Sequence, residues 1–384
     1  MFVSAVCQTI RPILYVAAGV GVWVAGGRIV AGPNGPFQNE NLEVVFQFSL
    51  GPAGMTSTPD GSWLLSVNQA EKPRTRVVKV VESGAVEPFP NDRMSDAMPG
   101  EHVPLDAVEG MTLDGAGIVW MLDNGRRSEM TPKVVAWNYE KRRLHSIHHI
   151  GEPAVVPGSY LADLAVDMNH PFLYITDPAN GANAALIVMD RATGLARRVL
   201  QGHRSVVPDE SVPLTTGRSG TATKRLDGSQ TLPHNGADPI VLDKKGEWLY
   251  FAAIRSAHVY RVRTEHLRDP ALDPAKLAEH VETWAGKPAA TSFTLDARGN
   301  LYLGDVEGRA VGVIENDKKR VYRVLVSDPR LVWPDALCFG PDEKLYFFSR
   351  LSPGGVAKSP VNQPASMEHN LFRIQPLTGG RLGD

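Results

Sequence analysis

One unit recurs six times along this chain, and it sets what the chain can fold into. Each copy is an apolar strand, a polar turn that begins with Asp, and a second apolar strand. The copies read GMTSTPDGSWLLSVN, GMTLDGAGIVWMLD, LAVDMNHPFLYITD, IVLDKKGEWLYFAA, FTLDARGNLYLGD and LCFGPDEKLYFFSR. Their turn aspartates are Asp60, Asp114, Asp167, Asp243, Asp296 and Asp342, separated by 54, 53, 76, 53 and 46 residues. Asp followed by Gly or a polar residue is what a tight hairpin turn needs. A third β-like run follows each copy: Arg76–Val81, Lys133–Asn138, Ala185–Asp190, His258–Arg263, Ala310–Glu315 and Leu371–Gln375. A fourth follows most copies, as in Arg197–Leu200 and Val321–Val326. Four antiparallel strands at this period make one propeller blade. The expected fold is therefore all-β, a six-bladed β-propeller over residues 43–384. The last copy lacks a fourth strand, and Glu43–Phe48 is a spare strand ahead of the first copy. Pairing the two closes the ring and removes free sheet edges, which a solenoid would leave at both ends.

Two insertions interrupt the period. Thr264–His280 reads as a short helix or two between the outer strands of blade four. Gln201–Gly236 is a long polar stretch between blades three and four, and loops of this length tend to be functional or disordered. The 36 Gly and 29 Pro residues are spread along the chain, as many short strands with tight turns require. The net charge is −2 with no Lys/Arg block, which argues against nucleic acid and against an anionic membrane surface as partners.

Residues 1–31 differ from the rest. Ile13 to Gly27 is uncharged and largely apolar, too short for a spanning helix and long enough for an export signal. Residues 1–31 are expected to be a signal peptide or an N-terminal anchor, giving a secreted or periplasmic protein that meets a membrane only through this segment. Of the two cysteines, Cys7 lies in this segment and Cys338 lies in an apolar strand, so no disulfide is expected in the propeller.

Blade topology locates a candidate site. The start of the first strand and the end of the second face the same channel mouth, and Gln201–Gly236 crosses over it. At the starts of the inner strands stand Glu109, Asp163, Asp238 and Asp335, with Thr291 and Ala53 at the equivalent places. Carboxylates converging on one axis repel, so a cation, protonation or basic partners must relieve them. Oxygen ligands of this kind suit a divalent ion, Ca²⁺ foremost, and no organic cofactor is expected. Glu109, Asp163, Asp238 and Asp335 are thus candidate metal ligands and candidate catalytic acids or bases, or else staples between blades. Asn68, Asp123, Asp177, Asp305 and Ser349 end the second strands and are candidate ligand contacts. Strand-end aspartates equally accept backbone N–H bonds, and for Asp123, Asp177 and Asp305 that structural role is favoured. His234 and Asn235 end the long loop and reach toward the mouth, and Trp333 is a candidate wall. No nucleophile elbow, P-loop, dinucleotide fingerprint or zinc-protease motif is present.

VWMLDNG with TPKVVAWN resembles the second blade of the Yellow and major royal jelly proteins. SYLADLAVD with YITD, ALIVMDRATGLARRVLQGH, GADPIVLDKKGEWLYFAAIRSAHVYRV, GNLYLGDVEGRAVG, DPRLVWPDALCFGPDEKLYF and NLFRI resemble its later blades. The chain is most similar to bacterial members, which are grouped with SMP-30 and gluconolactonase-like propellers. The resemblance implies a secreted six-bladed propeller. Some insect members convert dopachrome, an isomerisation, and others bind small amines or serve as nutrient proteins. The SMP-30-like lactonases hold a divalent metal with Glu, Asn and Asp side chains. Asp163 and Asp238 match two of those positions, where that group favours Asn, while Ala53 and Thr291 stand where it has Glu and Asp. Three functions follow as expectations: an isomerase or lactone hydrolase acting on a small polar ring, a small-molecule binder without turnover, or a protein-interaction scaffold. A monomer is expected.

Overall fold

The computed structural model describes residues 23–25, 28–30, 41–48, 51–68, 73–81, 84–96, 104–179, 181–214, 223–224, 230–231, 235–350, 369–380 and 382. Six four-stranded antiparallel blades stand around one axis. Blade two shows the pattern: Val108–Leu113, Ile118–Asp123, Lys133–Asn138 and Arg143–His149, running outward in chain order. The other inner strands are Pro52–Ser57, Leu164–Val166, Ala237–Leu242, Ala290–Leu295 and Asp335–Phe339. Each packs against the next, and the sixth packs against the first, so the ring closes.

Closure uses the spare strand. Glu43–Phe48 pairs antiparallel with His369–Ile374, supplying the outer strand of blade six. Arg373 Nη2 donates to Glu43 Oε2 at 2.6 Å across this seam. The expected export segment lies outside the described residues, apart from a hairpin of Trp23–Ala25 and Arg28–Val30 whose second strand meets Glu43. Among the described residues no helix is long and apolar enough to cross a membrane.

The repeat exists because each blade is apolar on both faces and must be covered twice. A hydrophobic core fills each gap between neighbours. Trp120, Leu122 and Val134 meet Leu173, Ile175 and Ile187 between blades two and three, and Met55, Leu65 and Val78 meet Cys338, Tyr346 and Phe348 between blades six and one. Cys338 is a free, buried thiol, and burial pushes its pKa up to about 12. Cys7 lies outside the described residues.

The turn aspartates do two jobs. Asp114 accepts the N–H groups of Ala116 and Ile118, which shapes the hairpin, and the Trp120 indole N–H at 2.7 Å. Asp296 does the same with Arg298, Asn300 and the Tyr302 hydroxyl. Asp342 holds Lys344 and the Tyr346 hydroxyl. In these three units the second-strand aromatic is thereby anchored to its own turn.

Thr264–Arg268 and Pro274–Glu279 are the two short helices of the blade-four insertion, ahead of the outer strand Glu282–Gly286. Of the long stretch between blades three and four, residues 201–214, 223–224, 230–231 and 235–236 are described. Val212 and Leu214 pack against Ile254, Ala289, Val306 and Trp333, which places this part of the loop as a collar beside one channel mouth.

Candidate functional site

The inner strands are interrupted where they reach that mouth. Register shifts by one residue between Pro52 and Met55, Val108 and Met111, Ala237 and Ile240, Ala290 and Phe293, and Asp335 and Cys338. Each is a β-bulge, and a bulge re-aims the side chains it contains. Ala53, Glu109, Asp238 and Thr291 lie within these bulges and Asp335 begins one. Blade three starts its inner strand only at Leu164, directly after Asp163. A sequence of plain alternating strands would not direct these side chains inward; the extra residue does.

Together with Asp163 they line a channel enclosing about 720 Å³, which also borders Asn68, Tyr160, Asn235, Ile254 and Trp333. Glu109, Asp163, Asp238 and Asp335 therefore share one mouth, as their place in the repeat predicts. Small residues make the approach feasible. A Cβ on Gly110 would stand 2.6 Å from Asp163 Oδ1, and one on Gly54 would stand 2.0 Å from the Glu109 carbonyl oxygen. Hydroxyls tie the blades together just behind the acids. Ser66 Oγ donates to the Glu109 carbonyl at 3.2 Å and Thr176 Oγ1 to the Asp238 carbonyl at 2.9 Å. Thr291 Oγ1 donates to the Pro334 carbonyl, so this candidate contact borders the channel with its hydroxyl committed to the wall.

The acids are not equivalent. Asp163 Oδ1 accepts the Leu164 N–H at 2.8 Å, yet burial, reinforced by the negative charge of Asp335, pushes its pKa up to about 8. Asp163 is thus mainly protonated at neutral pH, and protonation is one relief the clustered carboxylates use. Asp335 accepts the Ala336 N–H at 2.8 Å and the Trp333 indole N–H at 3.3 Å. Glu109 accepts the Tyr160 hydroxyl at 2.7 Å and the Asn124 amide at 3.4 Å. Tyr160 and Asn124 escaped the sequence reading because they sit in connecting loops with no repeat to mark them.

The metal expectation is not supported. Among the described residues no group of three or more His, Cys, Asp or Glu side chains is placed to hold an ion. The physical reason is spacing and occupation. The four carboxylates come from four different blades around the ring, and at least three of them already accept local donors.

Four candidate ligand contacts lie behind the wall. Asp123 is fully buried, accepts the N–H groups of Asp106, Ala107 and Gly125, and forms an ion pair with Lys133 Nζ at 2.8 Å. Asp177 accepts the N–H groups of Tyr160 and Ala179 and pairs with Arg198 at 2.6 Å. Asp305 accepts the Gly308 N–H and the Tyr322 hydroxyl. Ser349 Oγ accepts the Trp333 N–H at 3.2 Å. Asp123, Asp177 and Ser349 fasten strand-four-to-strand-one connections, and Asp305 fastens the turn after its own strand and the outer strand of blade five. Asn68, Asn235 and Trp333 do border the channel. His234 lies outside the described residues.

The major royal jelly protein family model matches residues 107–359. No curated protein matches in sequence. Among solved structures, a gluconolactonase from Xanthomonas campestris aligns at 12% identity over 87% of this chain and 90% of that one, with a TM-score of 0.51. A luciferin-regenerating enzyme aligns at 13% identity over 89% and 97%, with a TM-score of 0.53. At such identities the likeness shows a shared fold, the six-bladed propeller, and nothing finer.

Proposed function

Because this chain belongs to the major royal jelly protein family, we propose that its channel mouth binds a small polar ring and tautomerises it by proton transfer. The observation that carries this reading is the raised pKa of Asp163 at the mouth. Burial and the negative charge of Asp335 push the Asp163 pKa up to about 8. A carboxyl that keeps its proton at neutral pH can act as a general acid toward a ligand whose proton a neighbouring carboxylate removes. Asp335 removes a proton from carbon beside a carbonyl while Asp163 delivers one to the carbonyl oxygen. No atom is gained or lost overall, and exchange with channel water resets the pair. Glu109, held by Tyr160, and Asn68 and Asn235 supply the polar contacts that orient the ring, with Trp333 as a wall. Lactone hydrolysis of the gluconolactonase kind is the second reading, which the likeness of fold to a gluconolactonase suggests. Export through residues 1–31 belongs to the same proposal, since a secreted enzyme is what the apolar leader suggests.

The test is turnover of dopachrome and of a lactone panel, each with and without EDTA. Dopachrome conversion that ignores EDTA and is lost in Asp335→Asn is expected. Lactone hydrolysis abolished by EDTA would transfer the function to the hydrolase reading. Calorimetric binding of such rings with no turnover at any pH would make the protein a binder.

A further inference from the structure

Lys287 lies between the outer strand of blade four, Glu282–Gly286, and the inner strand of blade five, Ala290–Leu295. It is 7% exposed, and among the described residues no carboxylate forms an ion pair with its ammonium; burial pulls its pKa down to about 7, against the negative charge of Asp305. Its Nζ instead donates to four backbone carbonyls: Ala253 at 3.1 Å, Ile254 at 3.2 Å, Ser256 at 2.8 Å and Pro288 at 3.1 Å. An ammonium has three protons, so the four oxygens share them.

Four carbonyl dipoles aimed at one point repel one another unless a positive charge sits there. Rings of carbonyl oxygens are how proteins replace the water around a potassium ion. Three of these carbonyls come from one turn, between the second and third strands of blade four. The Lys287 N–H also donates to Ala257 in that turn at 2.9 Å, and the Ala290 N–H donates to the Ile254 carbonyl at 3.1 Å. Ile254 is part of the channel wall and of the collar that receives Val212 and Leu214. The adjoining collar residue Trp333 donates to Asp335.

We propose that this carbonyl cage is a monovalent-cation site which the chain fills with its own lysine ammonium, and that the charge there positions the collar of the channel mouth. Lys287 is then a positioning residue, and the proposal is independent of what the mouth turns over.

The test uses the full chain with Lys287→Ala, which opens the cage, and Lys287→Met, which fills it without charge. Melting temperature and tryptic cleavage at the exposed loop residue Arg204 are read in equal concentrations of potassium, ammonium or choline chloride. The wild type should be indifferent to the cation. Lys287→Ala should melt lower and be cut faster in choline, and should recover at least half of both losses in potassium or ammonium. Lys287→Met should be destabilised and recover nothing. Equal melting of Lys287→Ala in all three salts overturns the proposal, because the lysine then only fills space. So does wild-type stability of Lys287→Ala in choline, or failure of that variant to fold in any of the salts.

Discussion

Replacing Asp163 with Asn tests the electrostatics of the mouth directly. Asn reproduces the shape of the protonated carboxyl and has no charge to bury. In the unfolded chain Asp163 titrates near its ordinary value of 3.8, and in the fold its pKa is pushed up to about 8. A carboxyl raised on folding binds more protons in the native state, so stability falls as pH rises through the window from 3.8 to about 8. Below that window both states are protonated and Asp163 costs nothing. Above it the full penalty applies, at about 1.4 kcal/mol for each tenfold change in proton affinity. Between pH 5 and pH 9 the penalty grows by about 4 kcal/mol at most, and water in the channel screens it toward about 1–2 kcal/mol. Asp163→Asn should therefore stabilise the protein by about 1–2 kcal/mol more at pH 9 than at pH 5. Urea unfolding at the two pH values measures this difference. The same stability change at both would show that Asp163 ionises in the fold as it does in water. The acid role assigned to it would then have no basis.

Lys133→Met should lose about 3–5 kcal/mol, because Asp123 would keep a buried charge without its partner, 2.8 Å away in the native protein. Adding Asp123→Asn should restore most of that loss in a double-mutant cycle, and additive losses would contradict the pairing. Gly110→Ala should cost about 1–3 kcal/mol, since the new methyl would lie 2.6 Å from Asp163 Oδ1 and 2.8 Å from its Cα. Wild-type thermal unfolding of that variant would mean that blades two and three are not in this close approach.

Much of the architecture was legible in the sequence because propeller blades repeat local chemistry. An Asp at each turn, with apolar runs on both sides, specifies a hairpin by itself. Six such hairpins with one spare strand leave ring closure as the arrangement with fewest free edges. Glu43–Phe48 accordingly seals blade six. Position within the repeat also sufficed to bring Glu109, Asp163, Asp238 and Asp335 to one mouth, because equivalent positions in a ring converge. What each acid does there was decided only by tertiary structure. Protonation, pairing and orientation depend on groups contributed by other blades and by loops outside the repeat. Sequence position brings both Asp123 and Asp163 to the mouth, one ending a second strand and the other preceding an inner strand. In the fold one is neutralised by Lys133 from the next strand and turned into the wall. The other is buried under the negative charge of Asp335, which pushes its pKa up to about 8. The width of the ring and donors such as Tyr160 and the Leu164 N–H are set by packing, and no local pattern encodes them.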